Sequence, residues 1–432
     1  MTRAKLRKRF RPVLAAFVMA ASMWFYVQHV LVPYQQADAA RHDRPRGNLS
    51  DLYPRWLGAR ELLLRHRDPY SPEVTKEIQA GYYGRPLDAG RPGDPRDQQG
   101  FVYPLYVVFL LAPTVKLPFS TVMAGFRWLL VLLTAASVPI WLGVIRWRPP
   151  RRVLAIMLLL TLGSFPAVQG IKLEQLSLLV SALIAAASGL LVGGHLLLAG
   201  GLLAIASIKP QLVVPLAGWF ALWTAGDWRR RWPLLAGFSL TLGVLLVAAE
   251  QILPGWMGRF RDAVAAYGQY TGGGGSLLDV LVTPKAGKAL AAGVILLVAW
   301  LGWQKRAAPA GSVDFSFTLA TVLAATVVVI PMFAPYNQLL LLPAILLLTR
   351  SWRELWQRNL GTRTLLVITA SLVLWPWLAT LGLVLAPLVV PPGVLERAWA
   401  APLYTSVPIP LATLALLGCL GARPLHCHSS ER

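Results

Sequence analysis

The chain has 432 residues, of which 56% are hydrophobic and 14% charged, and its formal net charge is +22. That is not the composition of a water-soluble globular domain. A nucleic-acid-binding role is excluded as the source of the charge: the basic residues sit in short clusters between apolar runs, the pattern of the positive-inside rule, and some are placed to meet anionic lipid head groups.

In chain order, Met1 to Arg11 carries six Lys or Arg, and an apolar run follows from about Val13 to Val32. Ala37-Asp38-Ala39 resembles a signal-peptidase site. The apolar stretch exceeds a signal peptide's, so residues 1–33 are expected to form a cytoplasmic basic terminus and an uncleaved first transmembrane helix. Residues 34–121 then form an extracytoplasmic loop. The acids gather there: of 19 Asp and Glu, ten lie between residues 34 and 100.

Within that loop Ser50 is placed to cap a helix whose first turn holds Asp51 and Pro54, where proline is tolerated and a carboxylate is favoured. Leu52, Trp56, Ala59 and Leu63 recur at helical spacing and predict an amphipathic helix lying stripe-down on the bilayer surface. Asp68-Pro69-Tyr70 makes a turn, and Ser71-Pro72 starts a second helix as N-cap and first residue. Residues 84–100, rich in Gly, Pro and Asp, read as irregular. The run Phe101 to Pro118 is short and contains Pro104 and Pro113. A full crossing there would leave Arg146, Arg148, Arg151 and Arg152 outside, so a re-entrant or surface helix on the outer side is expected.

Residues 122–421 read as a multi-pass helical bundle. After the run 122–145, crossings are expected near 153–169, 175–194, 195–208, 211–225, 233–253, 286–304, 315–333, 338–349, 364–390 and 404–421, with a break at Lys209-Pro210. The fold class is an all-α polytopic membrane protein of about twelve transmembrane helices, with residues 422–432 a cytoplasmic tail and both termini cytoplasmic in the plasma (inner) membrane. Cys419 and Cys427 give no disulfide framework, and His426-Cys427-His428 reads as incidental.

This topology collects polar groups on the outer face: the acid-bearing loop, Lys172-Leu173-Glu174-Gln175, Lys209-Pro210-Gln211, the loop 254–285, and Pro335-Tyr336-Asn337-Gln338. Charges near membrane helix ends are costly unless they face water or one another, and together they mark a site. Taken singly, each has a plainer reading as a helix cap at the interface. Asp51 itself reads either as a helix-start aspartate or as a catalytic carboxylate. Gly272 to Gly275 lacks the Lys-Ser/Thr of a phosphate-binding loop and reads as a hinge or lid.

Asp51-Leu52-Tyr53, then Ala59-Arg60-Glu61-Leu62-Leu63 and Asp68-Pro69-Tyr70, resemble the first outer loop of glycosyltransferase family 87. So do Phe101-Val102-Tyr103-Pro104 with Leu111-Ala112-Pro113, and Lys209-Pro210-Gln211 before a Trp- and Arg-rich inner loop. The resemblance runs over roughly residues 45 to 350. It departs at Leu105, where members often carry a second proline, and at Tyr336-Asn337-Gln338, where members often carry histidine.

The resemblance implies a GT-C fold and an inverting transfer of a hexose, mannose by analogy, from a polyprenyl-phosphate donor to a lipid or glycan acceptor. Asp51 matches the position of the family's catalytic aspartate and would be the base, which must lie within hydrogen-bond reach of the acceptor hydroxyl. Prepositioned cations would stabilise the leaving phosphate: Lys209 first, then Lys172, with Arg55 and Arg60 as bidentate candidates. Asp68, Tyr103, Gln211, Tyr336 and Asn337 are candidate substrate contacts. Asp51 and Asp68 together could hold a divalent ion, but no metal or other cofactor is required. The competing reading is a polytopic transporter or lipid flippase, which also uses broken helices and buried charges. A non-enzymatic scaffold gives no reason for Glu174 and Lys209.

Overall fold

A computed structural model describes residues 3–44, 50–88, 90–91, 93–94, 98–270, 275–331, 334–391 and 398–421. The tail around Cys427 and residues 272–274 of the glycine run lie outside the described residues. All regular structure among them is helical, as expected where apolar segments must satisfy their own backbone groups.

The chain opens with α1 (Arg3–Tyr26), which continues through a π-helical turn, Val27–Leu31, into α2 (Val32–Arg41). The first polar loop holds α3 (Tyr53–Arg65), α4 (Pro72–Tyr83) and the short α5 (Val107–Leu111), which ends in a 3-10 turn, Ala112–Thr114. Then come α6 (Phe119–Val144), α7 (Arg151–Leu162), α8 (Phe165–Lys172), α9 (Leu176–Val192), α10 (Leu196–Ala206), α11 (Pro210–Ala225) and α12 (Trp228–Ile252). Next are α13 (Trp256–Tyr270), α14 (Leu277–Leu281), α15 (Pro284–Gln304), α16 (Val313–Val329), a 3-10 stretch Pro335–Leu341, α17 (Leu342–Arg350), α18 (Trp352–Trp356) and α19 (Leu360–Leu385). A last helical stretch covers Ala401–Gly421.

By length and composition six helical stretches among the described residues can each cross a bilayer: Arg11–Arg41, α6, α12, α15, Leu360–Leu388 and Ala401–Gly421. Joined α7 and α8 make a seventh, bent by 50°. α9, α10 and α16 are apolar but shorter. The chain is therefore a multi-pass helical membrane protein. Its centre is α16, where every residue from Phe315 to Val328 is buried, packed against α11, α15, α17 and the last helical stretch. α10 and α12 cross closely because Gly200 and Gly237 face each other's backbones: a Cβ on Gly200 would lie 2.0 Å from Leu234 O, and one on Gly237 2.0 Å from Leu197 O.

The basic loops cluster at one end. Arg350 donates to Ile145 O, just past α6. Arg231 donates to Trp223 O at 2.6 Å and to Arg306 O at 2.7 Å, and Arg358 donates to Cys419 O. The other end of α6 begins at Phe119, whose ring packs on Tyr53 and Trp56 of α3. α6 has 26 residues, so the two ends are roughly 39 Å apart at 1.5 Å per residue.

Around α3 the structure corrects the sequence reading. Ser50 does not cap the helix: α3 starts at Tyr53 without a side-chain cap, and the Ser50 hydroxyl instead accepts from Leu52 N at 3.2 Å. Leu52, Trp56 and Ala59 are buried as expected, but Leu62 takes the place of Leu63. This stripe packs on α5 and its 3-10 turn, and Trp56 Nε1 donates to Thr114 O at 3.2 Å, so protein covers the face expected to rest on lipid. Asp68 and Ser71 behave as read: Tyr70 N donates to Asp68 Oδ1 at 2.9 Å, and Ser71 caps α4. Residues 254–285, read as a loop, contain α13 and α14.

Candidate active site

A cavity of about 570 Å³ opens between α3, the 98–104 segment, the α10–α11 break, α13 and the start of the Pro335–Leu341 stretch. Asp51, Arg55, Tyr103, Lys209, Gln211, Tyr336 and Asn337 all line it. Residues brought from far apart in the chain thus share one wall. Lys172, Arg60 and Asp68 are not among the lining residues. Arg60 lies over the Trp56 ring at 5.2 Å. Asp68 pairs with Arg259 at 2.8 Å. No group of three or more His, Cys, Asp or Glu that could hold a metal ion occurs among the described residues.

Asp51 sits in the turn before α3 and is held from several sides. Its amide donates to Leu173 O at 2.9 Å. One carboxylate oxygen accepts from Tyr82 Oη at 3.3 Å, and the other accepts from Gln175 Nε2. The opposite end of the Gln175 amide accepts from Lys209 Nζ at 2.9 Å. Lys209 also donates to Ser177 Oγ at 2.6 Å, and Ser177 in turn donates to Asn337 Oδ1 at 2.9 Å. One hydrogen-bonded chain therefore runs from the carboxylate through Gln175, Lys209 and Ser177 to Asn337. Gln175, Lys209 and Asn337 are buried, so each polar group depends on these partners.

Two of the cations lining the cavity, Lys209 and Arg55, lack carboxylate partners, while the third, Arg261, pairs with Asp262 at 3.1 Å. Among the described residues, no acid lies within ion-pair distance of Lys209 or Arg55. Lys209 Nζ instead sits 5.6 Å from the Tyr103 ring and 5.3 Å from the Tyr336 ring. Arg55 lies over Tyr103 at 4.5 Å and donates to Asp51's carbonyl oxygen at 2.9 Å, and its Nε is buried with no hydrogen-bond partner. Burial works against the Arg55 charge, but Tyr103 and Asp51 outweigh it and hold the guanidinium above its ordinary value. A buried cation without a paired acid, beside an unsatisfied donor, is electrostatically suited to an anion.

Lys209 is where the sequence placed it, at the break between α10 and α11. Below it the wall becomes apolar. Pro210 and Gln211 line the cavity, and further along α11 Pro215, Gly218 and Leu222 line a second, apolar crevice of about 340 Å³, closed by Ile295 of α15 and by Ala325 and Val329 of α16. A third groove of about 330 Å³ runs between α7, α17 and α19. Gln338, at its edge, donates to Ser406 O at 3.1 Å.

Four contributors escaped the sequence reading. Gln175 was visible in the Lys172–Gln175 motif, but the eye falls on its charges. Tyr82 had no signal beyond its place on α4. Phe260 and Tyr267 reach the cavity from α13, a helix not anticipated.

The family model of glycosyltransferase family 87 matches residues 101–335, more than half of the chain. The matched span contains Tyr103, Gln175, Lys209 and Gln211, while Asp51 and Arg55 precede it. No curated protein and no solved structure matches the chain.

Proposed function

Because the chain belongs to glycosyltransferase family 87, we propose that it is an inverting transferase that moves a hexose, mannose by analogy, from a polyprenyl-phosphate donor to a lipid or glycan acceptor, with Asp51 as general base. The observation that carries this reading is the single hydrogen-bonded chain linking a carboxylate to a buried lysine without an acid partner, at one wall of one cavity. An acid-base pair of functions is separated within it: Asp51 can accept a proton, and Lys209 with Arg55 can receive an anion.

In the reaction the acceptor hydroxyl gives its proton to the Asp51 carboxylate as its oxygen bonds to the anomeric carbon. The bond from that carbon to the phosphate oxygen breaks, and the lipid phosphate leaves with the electron pair. Charge develops on the phosphate, where Lys209 and the Arg55 guanidinium stabilise it in a site poor in water. Tyr82 and Gln175 fix the orientation of the carboxylate, which is the positioning that such a transfer needs. The polyprenyl chain descends from Lys209 along α11 into the crevice at Gly218 and Ala325, which continues the same helix face. The reading requires no metal.

In this reading the site end faces outward and both termini face the cytoplasm of the plasma membrane, in a GT-C-type bundle of about twelve crossings. The gathering of Arg146, Arg231, Arg306 and Arg350 at the opposite end supports that orientation.

The test supplies protein in sealed vesicles with a sugar-labelled polyprenyl-phosphate donor, with the matching nucleotide sugar, and with lipid acceptors. Label covalently on the acceptor, from the polyprenyl donor alone and with free polyprenyl phosphate released, is the expected result. Intact donor crossing the membrane without transfer would establish the transporter instead. Transfer from the nucleotide sugar alone would refute the donor class.

A further inference from the structure

The turn between α8 and α9 holds a buried acid that the mechanism above leaves unused. Glu174 is fully buried and has φ of 50°, in the left-handed region. A non-glycine residue persists there only when its surroundings over-determine it. The residues on either side both grip the site: Leu173 O accepts from Asp51 N at 2.9 Å, and the Gln175 amide links Asp51 to Lys209. Glu174 turns the opposite way, to α6, where Arg127 Nε donates to its Oε1. Its Oε2 is buried without a hydrogen-bond partner, and the adjacent Ser50 hydroxyl is directed at Leu173 O.

We propose that Glu174 is a positioning residue: its ion pair with Arg127 fixes the α8–α9 turn so that Leu173 and Gln175 keep Asp51 and Lys209 in register, and the register depends on Glu174 being ionised. The inference rests on the reading of Asp51 as base. Burial pushes the Glu174 carboxyl up to about 7, against the lowering effects of Ser50, Arg127 and Lys172. The charged groups around it are Arg127 from α6, Lys172 from α8 and, beyond Lys172, Asp51 from the turn before α3; α9 carries no charged residue. Above that value Glu174 is ionised and paired. As pH falls through it the carboxyl takes up a proton and the pair loses its charge; burial favours that neutral form, so the turn stays packed and only the register set by Arg127 is lost.

The experiment measures kcat and donor KM from about pH 5 to about pH 8 for the full-length protein in vesicles and for Glu174→Gln, Glu174→Gly and Arg127→Lys. In parallel, hydrogen exchange follows the segment around Asp51, whether or not sugar moves. The wild type is expected to lose kcat as pH falls past about 7. Glu174→Gln should lower kcat on the order of tenfold to a hundredfold, leave donor KM nearly unchanged, lose that inflection, and expose the Asp51 amide to faster exchange. Arg127→Lys, which keeps a cation opposite Glu174, should retain more of the rate than Glu174→Gln. Glu174→Gly, free of the left-handed constraint, should keep its thermal stability while losing rate. Unchanged exchange at Asp51 in Glu174→Gln would overturn the proposal, as would a wild-type pH profile, or stability lost in parallel with rate. If no polyprenyl donor is used but the exchange shift appears, the reaction assignment fails and the positioning role stands.

Discussion

Gln175 uses both ends of one amide, donating to Asp51 and accepting from Lys209, and so links two residues far apart in sequence. Lys209 is buried next to two tyrosine rings and without an acid partner, which suits it to an anion, and in the proposed reaction that anion is the donor phosphate. Lys209→Met is expected to lower kcat/KM by about a hundredfold to a thousandfold, read in the transfer assay, with Lys209→Arg recovering part of it. Equal rates for Lys209→Met and wild type would remove the phosphate role. At this scale the sequence was informative about charges: Asp51, Arg55 and Lys209 were legible as polar groups at membrane helix ends, and all three line one cavity. Lys172, the second candidate after Lys209, and Arg60, a candidate alongside Arg55, do not line it; spacing along a helix does not tell which way a long side chain turns. Neutral hydrogen-bonding residues such as Gln175 and Tyr82 carry no comparable signal, because a glutamine or tyrosine at an interface has many ordinary uses.

The helices around the cavity divide its lining. The turn before α3 supplies Asp51 and the first turn of α3 supplies Arg55, backed by the buried stripe of Leu52, Trp56 and Ala59. α13 covers the cavity with Phe260, Val264 and Tyr267, and it is tied to the turn before α4 by Arg259 and Asp68. That pair is partly exposed, so its contribution is that of a screened surface pair. Arg259→Gln is expected to raise substrate KM by less than about tenfold with kcat little changed, measured by initial rates over a range of donor and acceptor concentrations. A large fall in kcat would mean that α13 does more than cover the site. The helix was readable in principle: Trp256, Phe260, Val264 and Tyr267 recur at intervals of three and four. Its glycines and charges, and a position between two long apolar runs, made a loop the simpler expectation. The stripe of α3 shows a related limit, since periodicity reveals a buried face but not whether lipid or protein buries it.

Across the whole molecule the chain resolves into two ends with different chemistry, a basic one and a site-bearing one, joined by apolar helices. Six of these are long enough to cross by themselves, while α9, α10 and α16 are short and deeply packed. Hydropathy alone does not separate a crossing from a buried core helix in these short elements, because burial in protein and burial in lipid select the same residues. Their close fit has a measurable consequence. Gly237→Leu places a side chain where a Cβ alone would already lie 2.0 Å from Leu197 O. It is therefore expected to destabilise the bundle by about 1–3 kcal/mol or more, seen as a lower Tm in detergent or nanodiscs. An unchanged Tm would show that α10 and α12 do not cross as closely as described.

The account turns on the carboxylate at position 51, and the most direct measurement is the kcat of Asp51→Asn for sugar transfer in reconstituted vesicles. The amide is isosteric: its oxygen can still accept from Gln175 Nε2 while its NH2 donates to the Tyr82 hydroxyl oxygen, so donor binding should persist. The account requires a loss of kcat of at least about a hundredfold with donor KM near that of the wild type. Transfer by Asp51→Asn at a rate within a few-fold of wild type would contradict it.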